Sequence, residues 1–145
     1  MGWISAQTVW DQTVRFSVTD WIDGGVSVEE SIELVRRLKA VGLDLLDVSQ
    51  GFVTPDLSQI PWGPGFMVPV ARRIRRETGV PTAVGWMITD PHQADEAVRE
   101  IHTDVVLLAR EMLRDPYWPY HAAGTLGLEE AETILPVQYA RAVKR

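Results

Sequence analysis

The chain has 145 residues, 46% of them hydrophobic and 23% charged, enough for one domain with a real core. A formal charge of −6 argues against nucleic acid as the main partner, and the absence of cysteine excludes disulfides, thiolate catalysis and Cys-ligated zinc. No apolar run reaches membrane-spanning length, and residues 1–13 lack a basic-then-apolar leader. No membrane partner is therefore expected, and a cytoplasmic location is the default.

Beyond residues 1–13, whose two tryptophans suggest no role, residues 14–18 read as a first strand. The connection 19–27 holds Asp20, Trp21, Asp23 and Gly24-Gly25. Ser27-Val-Glu-Glu30 is a capping box, and Val28, Ile32, Val35, Leu38 and Val41 form a helical stripe that Gly42 ends. Residues 45–49 predict a second strand. The long connection 50–66 then carries Pro55, Pro61, Gly63, Pro64 and Gly65. A loop of that length is usually functional or mobile. A helix over 68–78 stops at Gly79, and residues 82–86 predict a third strand. Asp90-Pro91-His92-Gln93 supplies a cap and a first-turn proline for the next helix, and 105–108 predict a fourth strand. Continuous apolarity in these runs suits strands buried on both faces of a parallel sheet. The alternation βαβαβαβα implies right-handed crossovers and an α/β fold.

Residues 104–119 carry the strongest chemical signal. A strand runs into Ala109, and Arg110 opens a short helix. Free N–H groups at a helix start favour an anion, a small residue permits close approach, and a guanidinium fork suits phosphate oxygens. A phosphate cradle at the carboxyl end of a strand is one reading. The other pairs Arg110 with Glu111 or Asp115 on a solvated helix.

Several motifs resemble the Old Yellow Enzyme family of flavin oxidoreductases, in its YqjM-like bacterial branch. They are Val14-Arg-Phe-Ser-Val-Thr-Asp-Trp21, Gly42-Leu-Asp-Leu-Leu-Asp-Val-Ser49, Gly63-Pro-Gly65, Thr89-Asp90, Leu108-Ala-Arg-Glu-Met-Leu-Arg-Asp-Pro116 and Pro136-Val-Gln-Tyr-Ala-Arg141. The family fold is a TIM (β/α)8 barrel of about 250 residues or more. Four βα units match its carboxyl-terminal half, strands five to eight. The resemblance divides the chain into an unmatched segment 1–13, a half-barrel 14–135 and a tail 136–145.

The resemblance implies FMN as cofactor, NADPH or NADH as hydride donor and an enone-type small molecule as substrate. Arg15 matches the arginine beside the flavin N1–C2 edge; its alternative is a strand-end pair with Asp20 or Asp23. Ala109 and Arg110 match the pair that holds the FMN phosphate. Gly85 and Trp86 fall in the phosphate loop, Trp86 where many members have glycine. Arg141 resembles an arginine sent into a neighbouring subunit's active site; its alternative is a basic tail with Lys144 and Arg145. The family's substrate-binding histidine, tyrosine proton donor and flavin-tuning Cys or Thr belong to the first half of the barrel. They have no counterpart here, so no catalytic residue is expected in this half. His92, His102 and His121 are expected at the surface, and Tyr117, Tyr120 and Tyr139 do not match the proton donor. A homodimer or a complementary half-barrel is the expected partner, because a half-barrel leaves two strand edges open. The competing expectation is a truncated, catalytically inactive fragment that self-associates.

Overall fold

A computed structural model of the chain describes residues 12–143. Four strands, β1 (Thr13–Ser17), β2 (Leu45–Ser49), β3 (Thr82–Val84) and β4 (Val105–Val106), form one sheet in the order β1-β2-β3-β4. Every neighbouring pair is parallel. Helices α1 (Val28–Ala40), α2 (Val68–Thr78) and α3 (Pro91–Arg99) make the crossovers. After β4 come α4 (Arg110–Arg114), α5 (Trp118–Thr125) and α6 (Val137–Val143), with 3₁₀ turns at Leu57–Gln59 and Ala131–Ile134. A strand order that never reverses keeps successive right-handed crossovers on one side. That is the winding of a barrel rather than of a doubly wound sheet. The chain is thus an α/β fold with the strand sequence of half a TIM barrel.

The helices begin where their caps dictate. The Ser27 hydroxyl accepts from Glu30 N–H at 3.2 Å, and the Glu30 carboxylate accepts from Ser27 N–H at 2.9 Å. Asp90 Oδ1 accepts from His92 and Gln93 N–H, starting α3 at Pro91. Gly79, at φ +65°, ends α2 in the left-handed conformation that glycine adopts without steric cost. The apolar faces so aligned meet in one core: Ile32 and Val35 from α1, Ala71 and Ile74 from α2, and Leu46, Val48 and Val84 from the sheet. Asp104 braces the amino-terminal side of β3 and β4. It takes two bonds from Arg75, at 2.7 and 2.9 Å, and one from Thr82 N–H. Burial opposes ionisation of Asp104, but those donors outweigh it and hold the carboxyl below its ordinary range.

Three expectations need correction. Only β2 and β3 are buried along both faces; β1 is largely exposed and β4 half-buried, because each pairs on one side only among the described residues. The third strand stops at Val84 because Trp86 and Met87 leave extended backbone for φ of +72° and +56°. The fourth strand ends at Val106, short of the expected 105–108, and within 136–145 α6 packs against the turn at Ala131–Ile134. Segment 1–13 lies outside the described residues except for its last two. Among the described residues, no helix is long and apolar enough to cross a membrane.

Replacing Ser27 with Ala removes one side of the capping box. It should lower the unfolding free energy by about 1 kcal/mol, read from the urea midpoint at constant slope. A midpoint equal to the unaltered chain's would mean the cap contributes nothing.

Candidate functional site

Parallel strands deliver their carboxyl ends to one rim, where α/β proteins place ligands. A cavity of about 460 Å³ opens there. It receives Arg15 from β1, Asp47 from β2, Gly85 and Trp86 after β3, and Ala109 and Arg110 after β4. Pro64 closes it from the 50–66 connection, and Arg114 reaches it from α4. Five of the six residues singled out from the sequence therefore meet in one cavity. Arg141 is the exception: it is exposed on α6 and does not line it.

Arg15 does not pair with Asp20 or Asp23. The register sets Arg15 opposite Asp47, and its guanidinium lies 3.4 Å from Asp47 Oδ2 and 3.3 Å from Ser49 Oγ. Asp20 is committed elsewhere, accepting Val26 N–H at 2.8 Å and so folding the β1–α1 connection back on itself. Burial pushes the Asp47 carboxyl above its ordinary range, and the Arg15 charge offsets this only in part. Arg15 is thus a cation held on the cavity wall by a strand-to-strand contact, its side chain still 60% exposed.

Arg110 is differently placed. The two carboxylates that would pair it on a solvated helix are taken: Glu111 holds Arg114 at 2.8 Å, and Asp115 holds His121 Nδ1 at 2.6 Å. Among the described residues Arg110 has no ion-pair partner, and Ala109, the N-cap of α4, offers no capping side chain. At five residues α4 is too short for a strong macrodipole. The helix-start contribution expected from the sequence therefore reduces to its first free N–H groups and the Arg110 guanidinium.

Gly85 has a packing reason of its own. A Cβ there would stand 3.0 Å from the Leu107 carbonyl, so the close approach of β3 and β4 at this rim requires glycine. Trp86 then adopts a left-handed φ in which a non-glycine residue costs about 1–3 kcal/mol. Its indole, packed between Phe52 and Phe66 at 5.6 and 5.9 Å, contributes the compensating contacts. The geometry at Trp86 is what a glycine would adopt, as the resemblance implied, with an aromatic ring in its place.

His92 and His121 are exposed and His102 is half-buried, and no tyrosine or histidine lines the cavity. Sequence reasoning missed Asp47, Ser49, Pro64 and Arg114. The available signal was an acid in the middle of the apolar run Leu-Leu-Asp-Val-Ser, at the third strand position, as Arg15 is on β1.

The fold and rim define a class: half of a (β/α) barrel with a cavity lined by cations at its strand ends. No family model matches the chain. It is 44% identical over 140 residues to the NADPH dehydrogenase of Geobacillus thermodenitrificans, covering 94% of the chain and 39% of that protein. The NADPH dehydrogenase of Listeria innocua is 40% identical over 143 residues, 97% of the chain and 40% of its own length. Among solved structures, 2-naphthoyl-CoA reductase in complex with 2-naphthoyl-CoA superposes with a TM-score of 0.60 at 25% identity, over 80% of this chain and 18% of that one. The chain is thus similar to NADPH dehydrogenases and spans about two-fifths of the length of the relatives it matches, consistent with a carboxyl-terminal half of the barrel.

Folding raises the Asp47 pKa, so the folded chain retains this proton to higher pH than the unfolded chain does. The Asp47 contribution to stability is then greatest at low pH and declines as pH rises from the ordinary Asp value through the raised one. Asp47→Asn should lack that decline. Urea unfolding of both proteins between about pH 3.5 and 7 should show the variant gaining on the parent as pH rises. A pH-independent difference would refute the assignment.

Proposed function

We propose that this chain forms the flavin-holding side of an FMN-dependent NADPH oxidoreductase acting on activated alkenes. The observation that carries the reading is the convergence of Arg15, Gly85, Trp86, Ala109 and Arg110 on one cavity, with Arg110 unpaired among the described residues. The relatives' name supports NADPH as hydride donor, and the name of the structural neighbour supports a reductase.

The donor set fits FMN. A phosphate needs a guanidinium and N–H groups with no competing carboxylate, which Ala109 and Arg110 provide. A flavin ring needs a fixed cation for the negative charge of its reduced form, which Arg15 provides. When bound, FMN supplies acceptance of hydride from NADPH and its delivery to an alkene carbon. The chain's own residues hold, orient and neutralise. Asp47 and Ser49 fix Arg15, Arg110 would hold the phosphate, and Trp86 and Pro64 line the cavity beside it. With no tyrosine or histidine at the cavity, the proton for the second alkene carbon comes from residues beyond this set. The exposure of Arg141 on α6 supports a role toward a neighbouring subunit.

Titration of the purified chain with FMN, followed by flavin fluorescence, should show saturable binding. Arg110→Ala should weaken it by about 10- to 100-fold, the worth of a charged hydrogen bond. Equal affinity would refute the phosphate role.

A second reading, a self-associating half-barrel without catalysis, draws on the two outer strands, each paired on one side only among the described residues. The half-barrel 14–135 would close against a second copy or a complementary half. Sedimentation equilibrium should then give a dimer mass; a folded monomer at micromolar concentration would exclude closure by a second copy.

A further inference from the structure

A groove of about 890 Å³ runs between the outer edge of β1 and α1, walled by Val14, Phe16, Val26, Leu34, Leu38 and Val53. Four of these leave apolar surface in water: Val14 is 37% exposed, Val26 43%, Leu34 44% and Val53 68%. The core is served by the opposite side of α1, where Ile32 and Val35 are buried. Both acids on the groove wall are engaged, Asp20 by Val26 N–H and Glu30 by the Ser27 cap, so the walls call for an apolar occupant. The chain itself leads there. Gln12 is pinned where β1 begins: its carbonyl accepts Asp44 N–H at 3.0 Å, and its N–H donates to Asp44 Oδ2 at 3.1 Å. Its side-chain amide lies against Gly42, where a Cβ would stand 3.3 Å from Oε1. Val14 and Leu38, close in sequence to Gln12 and Gly42, line that end of the groove. Residues 1–11 lie outside the described residues. Their sequence, Met-Gly-Trp-Ile-Ser-Ala-Gln-Thr-Val-Trp-Asp, holds two indoles and a single charged side chain, Asp11. A run of that length reaches roughly 36 Å extended or roughly 16 Å as helix, against roughly 17 Å for β1.

We propose that residues 1–11 fold back into this groove, with Trp3, Ile4, Val9 and Trp10 covering Val14, Leu34 and Val53. The segment shields the outer edge of β1 from water and from strands of other chains, and its two indoles supply most of the buried area. The chain thereby carries its own cover for one side of the half-barrel. The inference is independent of the flavin reading, because the groove and the rim cavity share no lining residue.

The test is fluorine NMR of the full chain labelled with 5-fluorotryptophan, the Trp3 and Trp10 resonances being assigned through Trp3→Phe and Trp10→Phe. Both resonances should be displaced from their positions in the urea-unfolded chain. Leu34→Asp, which puts a charge on the groove wall, should return them to the unfolded positions, whereas Leu34→Met should leave them displaced. The Trp118 indole, which donates to the Thr89 carbonyl, reports whether the fold survives each substitution. Val53→Asp makes the same test from the other wall, at a side chain exposed enough to change without unfolding the chain. Unfolded-like Trp3 and Trp10 resonances in the unaltered chain, or displaced ones that neither Leu34→Asp nor Val53→Asp restores, would overturn the inference. Displacement that vanishes on dilution would show the groove filled by a second copy, which also overturns it.

Discussion

Leu46, Val48 and Val84 lie on strands bonded to neighbours on both sides, and every pairing is parallel. From that constraint the rest follows. Parallel neighbours must be joined by crossovers, so each strand ends on the same rim as the one before it. An unreversed order then keeps the crossover helices on one face and the strand ends in sequence around one mouth. Four residues distant in the chain (Arg15, Asp47, Gly85 and Ala109) are thereby brought to the wall of one cavity. The cavity is a consequence of topology, and the side chains at its edge decide its chemistry.

Local chemistry was legible in the sequence where it acts over a few residues. The capping box at Ser27, the Asp90-Pro91 start and the Gly79 stop each fall where the residues indicated, because their hydrogen bonds close within one helical turn. The partner of Arg15 was not legible. Asp20 and Asp23 are near in sequence, but Asp47, 32 residues away, is the one that register places opposite. Pairing across a sheet depends on alignment that no single segment encodes. The end of β3 was misread for another reason. Val84-Gly85-Trp86 has strand-like residues, yet the crowding at Leu107 and the packing of the indole on Phe52 and Phe66 turn the backbone left-handed. There tertiary contact overrides propensity. The cavity positions suggested by family resemblance did meet, because a resemblance already carries the topology that local reading lacks.

Charge at the rim runs against the charge of the chain. The whole sequence is acidic, at −6, whereas the cavity gathers three arginines against Asp47 and Glu111. Both acids are engaged, Asp47 with Arg15 and Glu111 with Arg114, which leaves Arg110 as the uncompensated cation of the cavity lining. In a concave site with low-dielectric walls such an imbalance is felt more strongly than on open surface.

The two carboxylates act in different ways, and the difference bears on how the site works. Glu111 and Arg114 form an i,i+3 pair on one short helix and would hold each other wherever that helix went. Asp47 and Arg15 sit on separate strands, so their contact lasts only while β1 and β2 keep register. Asp47 resists ionisation through burial, so the attraction it exerts on Arg15 is bought with desolvation. Asp47 and Ser49 hold the Arg15 guanidinium from one side while its side chain stays 60% exposed, which suits a residue that must still present positive charge to a ligand. On the flavin reading, this lets Arg15 be oriented and available together, whereas a fully solvated acid such as Asp23 would have left it mobile or neutralised.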